Sequence, residues 1–157
     1  GYDTFLGNEQ PDSARARLRQ FHELALRVTP TDRLTLWATL DYGREPRPGV
    51  DATAAGVGHA SWRGWAVLAR LALSPRVALG GRVERYADPE QVIVRTGDPA
   101  GLRAGGGSAN VDVRLHPRAT WRTEYRALRA DAALFPAEPD GRTRRARGLV
   151  TAVALTL

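Results

Sequence analysis

One-for-one alternation of apolar and polar side chains runs through most of this chain, and no other feature restricts its fold as much. From Arg33 to Gly43, Leu34, Leu36, Ala38, Leu40 and Tyr42 share one parity, and Thr35, Trp37, Thr39 and Asp41 share the other. A period of two sends successive side chains to opposite faces of a β-strand. Val77 to Asp88 repeats the pattern, with Val77, Leu79, Gly81 and Val83 against Arg82, Glu84, Tyr86 and Asp88. So do Val111, Val113 and Leu115 against Asn110, Asp112 and Arg114, and Trp121, Thr123, Tyr125 and Ala127 against Arg122, Glu124 and Arg126. Leu149, Thr151, Val153, Leu155 and Leu157 share a parity in the last segment; Phe21 to Val28 and Trp65 to Leu73 complete the set. Seven strands of about 8 to 13 residues follow, with an eighth over the weakly patterned Gly1 to Leu6.

The connections alternate in length. Around Pro30, Pro75 and Pro117 the chain turns within a few residues, and proline pre-sets such bends. Between these turns lie long polar stretches: Glu45 to Ala60, Pro89 to Ser108 with Gly105-Gly106-Gly107, and Pro136 to Arg144. The glycine triplet reads as a flexible loop before a strand. Short and long connections thus fall at opposite ends of an antiparallel meander whose repeating unit is a hairpin plus its loop.

Composition narrows the reading further. The 157 residues fit one domain, and the absence of Cys removes disulfides, thiolate metal sites and a Cys nucleophile together. No apolar run is long enough for a transmembrane helix, which leaves a membrane crossed by strands fully open. The chain opens at Gly1 without Met or a charged-then-apolar leader, which reads as a processed or truncated chain. Every basic residue is Arg, 23 against 17 acids, for a formal charge of +6.

Strands of about ten residues, apolar on one face and polar on the other, with short turns at one end and long loops at the other, are the pattern of an outer-membrane β-barrel. The polar parity carries Arg82, Glu84, Asp112, Arg114, Arg122, Glu124 and Arg126 on consecutive strands. If Leu115 pairs with Ala119 around Pro117, Asp112 falls opposite Arg122. Such opposite-charge pairs suit a hydrated, charged lumen wall; an ordinary solvated sheet surface is the plainer reading.

On the apolar parity, each strand followed away from its short turn meets an arginine after about 9 to 12 residues, the length of a spanning strand. Those residues are Arg44, Arg63, Arg85 and Arg129, with Arg147 joining them if Leu157 marks the short-turn level. The strand through Val111 departs from the rule, because its far end runs into glycines. A ring of guanidinium groups at the edge of an apolar band sits at headgroup level, so these four are candidate contacts for lipopolysaccharide phosphates. Tyr42, Trp65 and Trp121 share the apolar parity near the strand ends and are candidate interfacial aromatics; Trp37 and Trp62 face the other way.

Catalytic chemistry finds little support. His22, His59 and His116 have no metal-ligand spacing, and the sequence holds neither Gly-x-Ser-x-Gly nor a phosphate-binding loop. Glu84 and Glu124 are flanked by arginines on their own face, which suits a salt-bridged wall better than proton transfer. No enzyme activity, metal or cofactor is expected. The basic pI and Arg144-Arg145-Ala146-Arg147 would suit nucleic acid, yet the arginines are spread over every strand and interleaved with acids.

Several of these segments resemble the β-barrel porins of Gram-negative outer membranes. The resemblance is carried by Asp41-Tyr42-Gly43, Trp62-Arg63-Gly64-Trp65, Gly81-Arg82-Val83-Glu84-Arg85-Tyr86-Ala87-Asp88 and Trp121-Arg122-Thr123-Glu124-Tyr125-Arg126, and runs from about Phe21 to the end. It implies that residues 1–157 are the C-terminal portion of a larger barrel, whereas strand count alone favours a single small barrel domain. It also implies lumen-facing roles for Arg82, Glu84, Arg122, Glu124 and Arg126, and assembly by the machinery that reads a terminal aromatic, where this chain ends in Leu157. The expectation is an all-β, antiparallel, up-and-down transmembrane barrel that passes small hydrophilic solutes, with the arginine excess favouring anions. Its partners would be outer-membrane lipid and lipopolysaccharide, and homo-oligomers are open to it. A non-conducting anchor or adhesion barrel, and a soluble basic barrel binding nucleic acid, are the alternatives.

Overall fold

A computed structural model describes residues 1–9, 17–47 and 58–156. Eight strands form one antiparallel sheet: β1 (Tyr2–Asn8), β2 (Leu18–Thr31), β3 (Leu34–Pro46), β4 (His59–Ala72), β5 (Val77–Asp88), β6 (Leu102–His116), β7 (Ala119–Ala130) and β10 (Arg145–Leu155). They pair in chain order, and a small hairpin, β8 (Phe135–Ala137) and β9 (Gly141–Thr143), lies in the β7–β10 connection. Among the described residues β1 and β10 are the two edges of an open sheet. Leu157 and residues 48–57 of the long β3–β4 connection lie outside the described residues.

The three short turns share a device. Thr31 Oγ1 accepts from the N–H groups of Arg33 and Leu34 at 3.3 and 3.1 Å, and Ser74 Oγ from those of Arg76 and Val77 at 3.2 and 3.1 Å. His116 Nδ1 accepts from the Arg118 N–H at 3.3 Å. Each polar residue thus closes its own turn. Pro75 and Pro117 occupy turns as expected, whereas Pro30 lies within the last residues of β2, at a register shift between Val28 and Thr31. Lacking an N–H, proline sits where the ladder is already interrupted.

The glycine triplet is not a loop. β6 begins at Leu102, and Gly105, Gly106 and Gly107 pair with Arg85, Glu84 and Val83 on one side and with Arg129, Leu128 and Ala127 on the other. A Cβ on Gly106 would stand 2.3 Å from the Ala127 carbonyl oxygen, so only glycine allows the strands this close. The expected connection from Pro89 to Ser108 therefore shortens to one ending at Gly101.

Burial separates the two faces of the sheet. The register places Leu40, Trp65 and Arg85 in one row, and Asp41, Gly64 and Tyr86 in the next, facing the other way. The second, inner face holds the buried residues: Ala60, Trp62, Ala66, Ala78 and Ala130, with Glu45, Asp88 and Asp112. Most of the exposed large apolar side chains lie on the outward face instead, with Leu149 72% and Leu155 70% exposed; Phe5 and Val150, on the two edge strands, are inward. A water-soluble sandwich or barrel has the opposite distribution. Along β3 the outward apolar stretch runs from Leu34 to Tyr42 before Arg44. Nine residues extend roughly 30 Å, which a tilt of about 45° reduces to the apolar thickness of an outer-membrane barrel.

Two connections fold over the inner face. Asp88 is fully buried, and its carboxylate accepts three backbone N–H groups, from Val92 at 2.9 Å and from Ile93 and Val94 at 2.8 Å each. This pins the β5–β6 connection so that Ile93 borders, with Phe5, Phe21, Trp62 and Tyr86, a cavity of about 460 Å³. Phe135 of β8 borders a second, of about 340 Å³, with Leu102, Ala104 and Leu128.

Candidate functional site

Several charges on the inner face are paired. Arg82 and Arg126 both donate to Glu84, from its own strand and from β7. Arg122 holds Asp112 in two parallel bonds of 2.6 and 2.8 Å, and Asn110 Nδ2 donates to the same carboxylate at 2.9 Å. The expected opposition of Asp112 and Arg122 is present, although a bulge pairs His116 rather than Leu115 with Ala119. Gly80 makes room: a Cβ there would lie 2.1 Å from Asn110 Oδ1. Nearer the long loops, Arg19 donates to Glu45 Oε2 at 3.1 and 3.0 Å while its guanidinium lies 5.5 Å from the Trp62 ring centroid. Trp62 in turn lies flat across Gly43, where a Cβ would be 2.0 Å from its ring.

The register also assembles a row that no single segment reveals. Asp3 pairs with Glu23, and Glu23 with Asp41, so three carboxylates stand side by side on the inner face of β1, β2 and β3. Asp41 Oδ1 is buried with no hydrogen-bond partner, as is Tyr86 Oη beyond the intervening Gly64. Arg114 and Glu124 face inward too, without a salt bridge among the described residues. Overall the inner wall balances Arg19, Arg27, Arg70, Arg82, Arg114, Arg122 and Arg126 against Asp3, Glu23, Asp41, Glu45, Glu84, Asp88, Asp112 and Glu124.

The outward charges are of one sign. Arg44, Arg63, Arg85 and Arg129 share that face with Arg145 and Arg147. Arg103 belongs with them: it stands beside Ala87 in the row of Tyr42 and Arg63. The strand through Val111 therefore follows the arginine rule, and the glycines that hid this are part of the strand. No carboxylate occupies the outward face of the described strands, so the arginine excess is concentrated there and not on the inner wall. Placed at the bilayer midplane each guanidinium would cost about 2–4 kcal/mol, falling to about 0–1 kcal/mol at the interface. Position at the long-loop edge of the apolar band removes that cost.

Tyr42 and Trp65 lie outward near the same edge, and Trp121 lies outward near the short-turn edge, its Nε1 donating to Thr151 Oγ1 at 2.7 Å. Among the described residues no group of His, Asp and Glu could hold a metal ion. His22 stacks on Tyr2 with centroids 6.1 Å apart, and His59 starts β4.

No curated protein and no solved structure matches this chain. A family model does, over residues 1–157: the one described as Putative beta-barrel porin-2, OmpL-like. An eight-stranded antiparallel meander with its greasy side chains outward and its charges paired inward is what such a family builds from, and the chain belongs to this porin-like family of outer-membrane β-barrels.

Proposed function

We propose that the chain forms a wall of a passive channel for small hydrophilic solutes in a bacterial outer membrane. One observation carries this reading: the sheet is inverted relative to a soluble protein, with most of its exposed Leu and Val, and Tyr42, Tyr125, Trp65 and Trp121, outward and paired charges inward. A row of Arg82, Glu84, Arg126, Asp112 and Arg122 keeps water and ions at the wall while its members neutralise one another. Because the inner charges nearly cancel, selectivity is weak, and the preference for anions expected from net charge has no basis in the wall. Ile93 and Phe135 narrow the passage from the long-loop side.

The same two side chains favour a second reading, a small barrel whose interior is filled and which anchors rather than conducts. The nucleic-acid reading fares worse, since the outward arginines lie at one edge of a broad leucine and valine surface that a water-soluble protein would have to expose. Reconstitution of folded, heat-modifiable protein into planar bilayers separates the first two. Discrete current steps with a reversal potential near zero in a salt gradient support the channel. A folded protein that leaves the bilayer tight overturns it in favour of the anchor.

A further inference from the structure

Three outward arginines surround one small residue. Arg63 on β4 and Arg103 on β6 flank Ala87 in a single row, and Arg85 lies one outward position along β5 from Ala87. Adjacent strands are about 4.8 Å apart, so long side chains rooted at these three positions can close on one group held above Ala87. All three are exposed, and none of their guanidinium groups has a hydrogen-bond or ion-pair partner among the described residues. They line a groove of about 470 Å³ whose far side is apolar, formed by Leu24, Leu40, Tyr42 and Trp65. Glu23 and Asp41 also border this groove, but they belong to the opposite, inward parity.

Three uncompensated guanidiniums beside an aliphatic and aromatic trough are complementary to an anion that carries hydrocarbon. Guanidinium forks match phosphate oxygens, with several donors available per group. Leu24, Leu40 and Trp65 form one row across the strands level with Arg85, so the trough suits the first methylenes of an acyl chain beside the phosphate. We propose that this groove is a discrete site for a phosphorylated glycolipid of the outer leaflet, its phosphate over Ala87 between Arg63, Arg85 and Arg103. The site rests on the outer-membrane reading above. It narrows the ring of lipopolysaccharide contacts expected from the sequence to one place: Arg44 donates to Gln20 Oε1 at 2.9 Å instead, and Arg129 lies outside the groove.

The test uses the chain folded in phosphocholine nanodiscs, with heat-modifiability on a gel confirming the folded state of every sample. Native mass spectrometry then reads the retention of added diphosphoryl lipid A. The wild type should retain it. The triple variant Arg63→Gln, Arg85→Gln, Arg103→Gln should lose about a hundredfold or more in affinity, since each charge-assisted contact is worth roughly tenfold. Arg129→Gln should change retention less than about threefold. If the triple variant does not fold, the three single Gln variants and the Arg→Lys triple take its place, the latter retaining charge but losing bidentate geometry. Equal retention by wild type and variants overturns the site, as does equal retention of a dephosphorylated lipid A. Displacement by millimolar inorganic phosphate as effectively as by lipid overturns the lipid assignment. Failure of the wild type to fold in any amphiphile counts against the outer-membrane reading, whereas folding without selective retention counts against this site alone.

Discussion

The arginines of the inner face and those of the outward face are the same residue in opposite circumstances. Arg19, Arg82, Arg122 and Arg126 each reach a carboxylate that the chain supplies, Glu45, Glu84 or Asp112. Arg63, Arg85, Arg103 and Arg129 reach none. Those four inward guanidiniums stand among carboxylates on their own and neighbouring strands, so their compensation is internal, while Arg27, Arg70 and Arg114 on the same face make no salt bridge among the described residues. Outward guanidiniums stand at the edge of an apolar band, where their compensation comes from water and from whatever anions the membrane presents. Counting charge over the whole sequence merges these two populations.

That contrast can be broken, and the largest effect should come from moving a charge to where neither kind of compensation exists. Val67 lies outward on β4, between Ala38 and Val83, well inside the apolar band. Val67→Arg should destabilise the folded state in lipid vesicles by about 2–4 kcal/mol, read as a lowered urea midpoint. A smaller loss would mean that the outward face is not in hydrocarbon.

Removing the shared acid of the inner ladder comes next. Glu84→Gln leaves Arg82 and Arg126 without their carboxylate and should cost about 1–2 kcal/mol in the same urea titration. Exposure of the two arginine side chains, 41% and 49%, keeps this below the cost of a fully buried pair. Asp112→Asn should cost about 1 kcal/mol, because Arg122 keeps one acceptor oxygen and loses its ionic partner. Smallest is the outward change Arg129→Gln, at under about 0.5 kcal/mol in neutral lipid, since no protein contact is lost. Stability that fell more for Arg129→Gln than for Glu84→Gln would reverse the comparison.

Much of this was legible beforehand, for a definite reason. Strand parity is a local property, so the faces of Arg82, Glu84, Arg122, Glu124 and Arg126 and those of Arg44, Arg63, Arg85 and Arg129 follow from position along their own strands. The strand Val77–Asp88 was readable to its end residues. Properties that depend on pairing between distant segments were not. Arg103 was masked because a glycine triplet is ordinarily punctuation, and only its partners on both sides hold it in a strand. The row of Asp3, Glu23 and Asp41 required the register of β1, whose own pattern is weak. Pro30 has the pattern of a turn residue, and only the register of β2 against β3 shows it inside a strand, at an irregularity. Nor could composition reveal that Asp88 gathers three backbone N–H groups and turns Ile93 over the inner face. Those bonds depend on the path of the connection, which local pattern does not encode.

The separation of faces is open to one direct measurement, made cleaner by the absence of native cysteine. Single cysteines placed at positions 79, 81, 82, 83 and 84 on β5, in protein folded into lipid vesicles, would be treated with a water-soluble, membrane-impermeant thiol reagent. Rapid modification at 82 and 84, with protection at 79, 81 and 83, is the predicted result. Equal reactivity at both parities, or protection of the even positions alone, would contradict an inverted sheet with its charges inward and its apolar face in lipid.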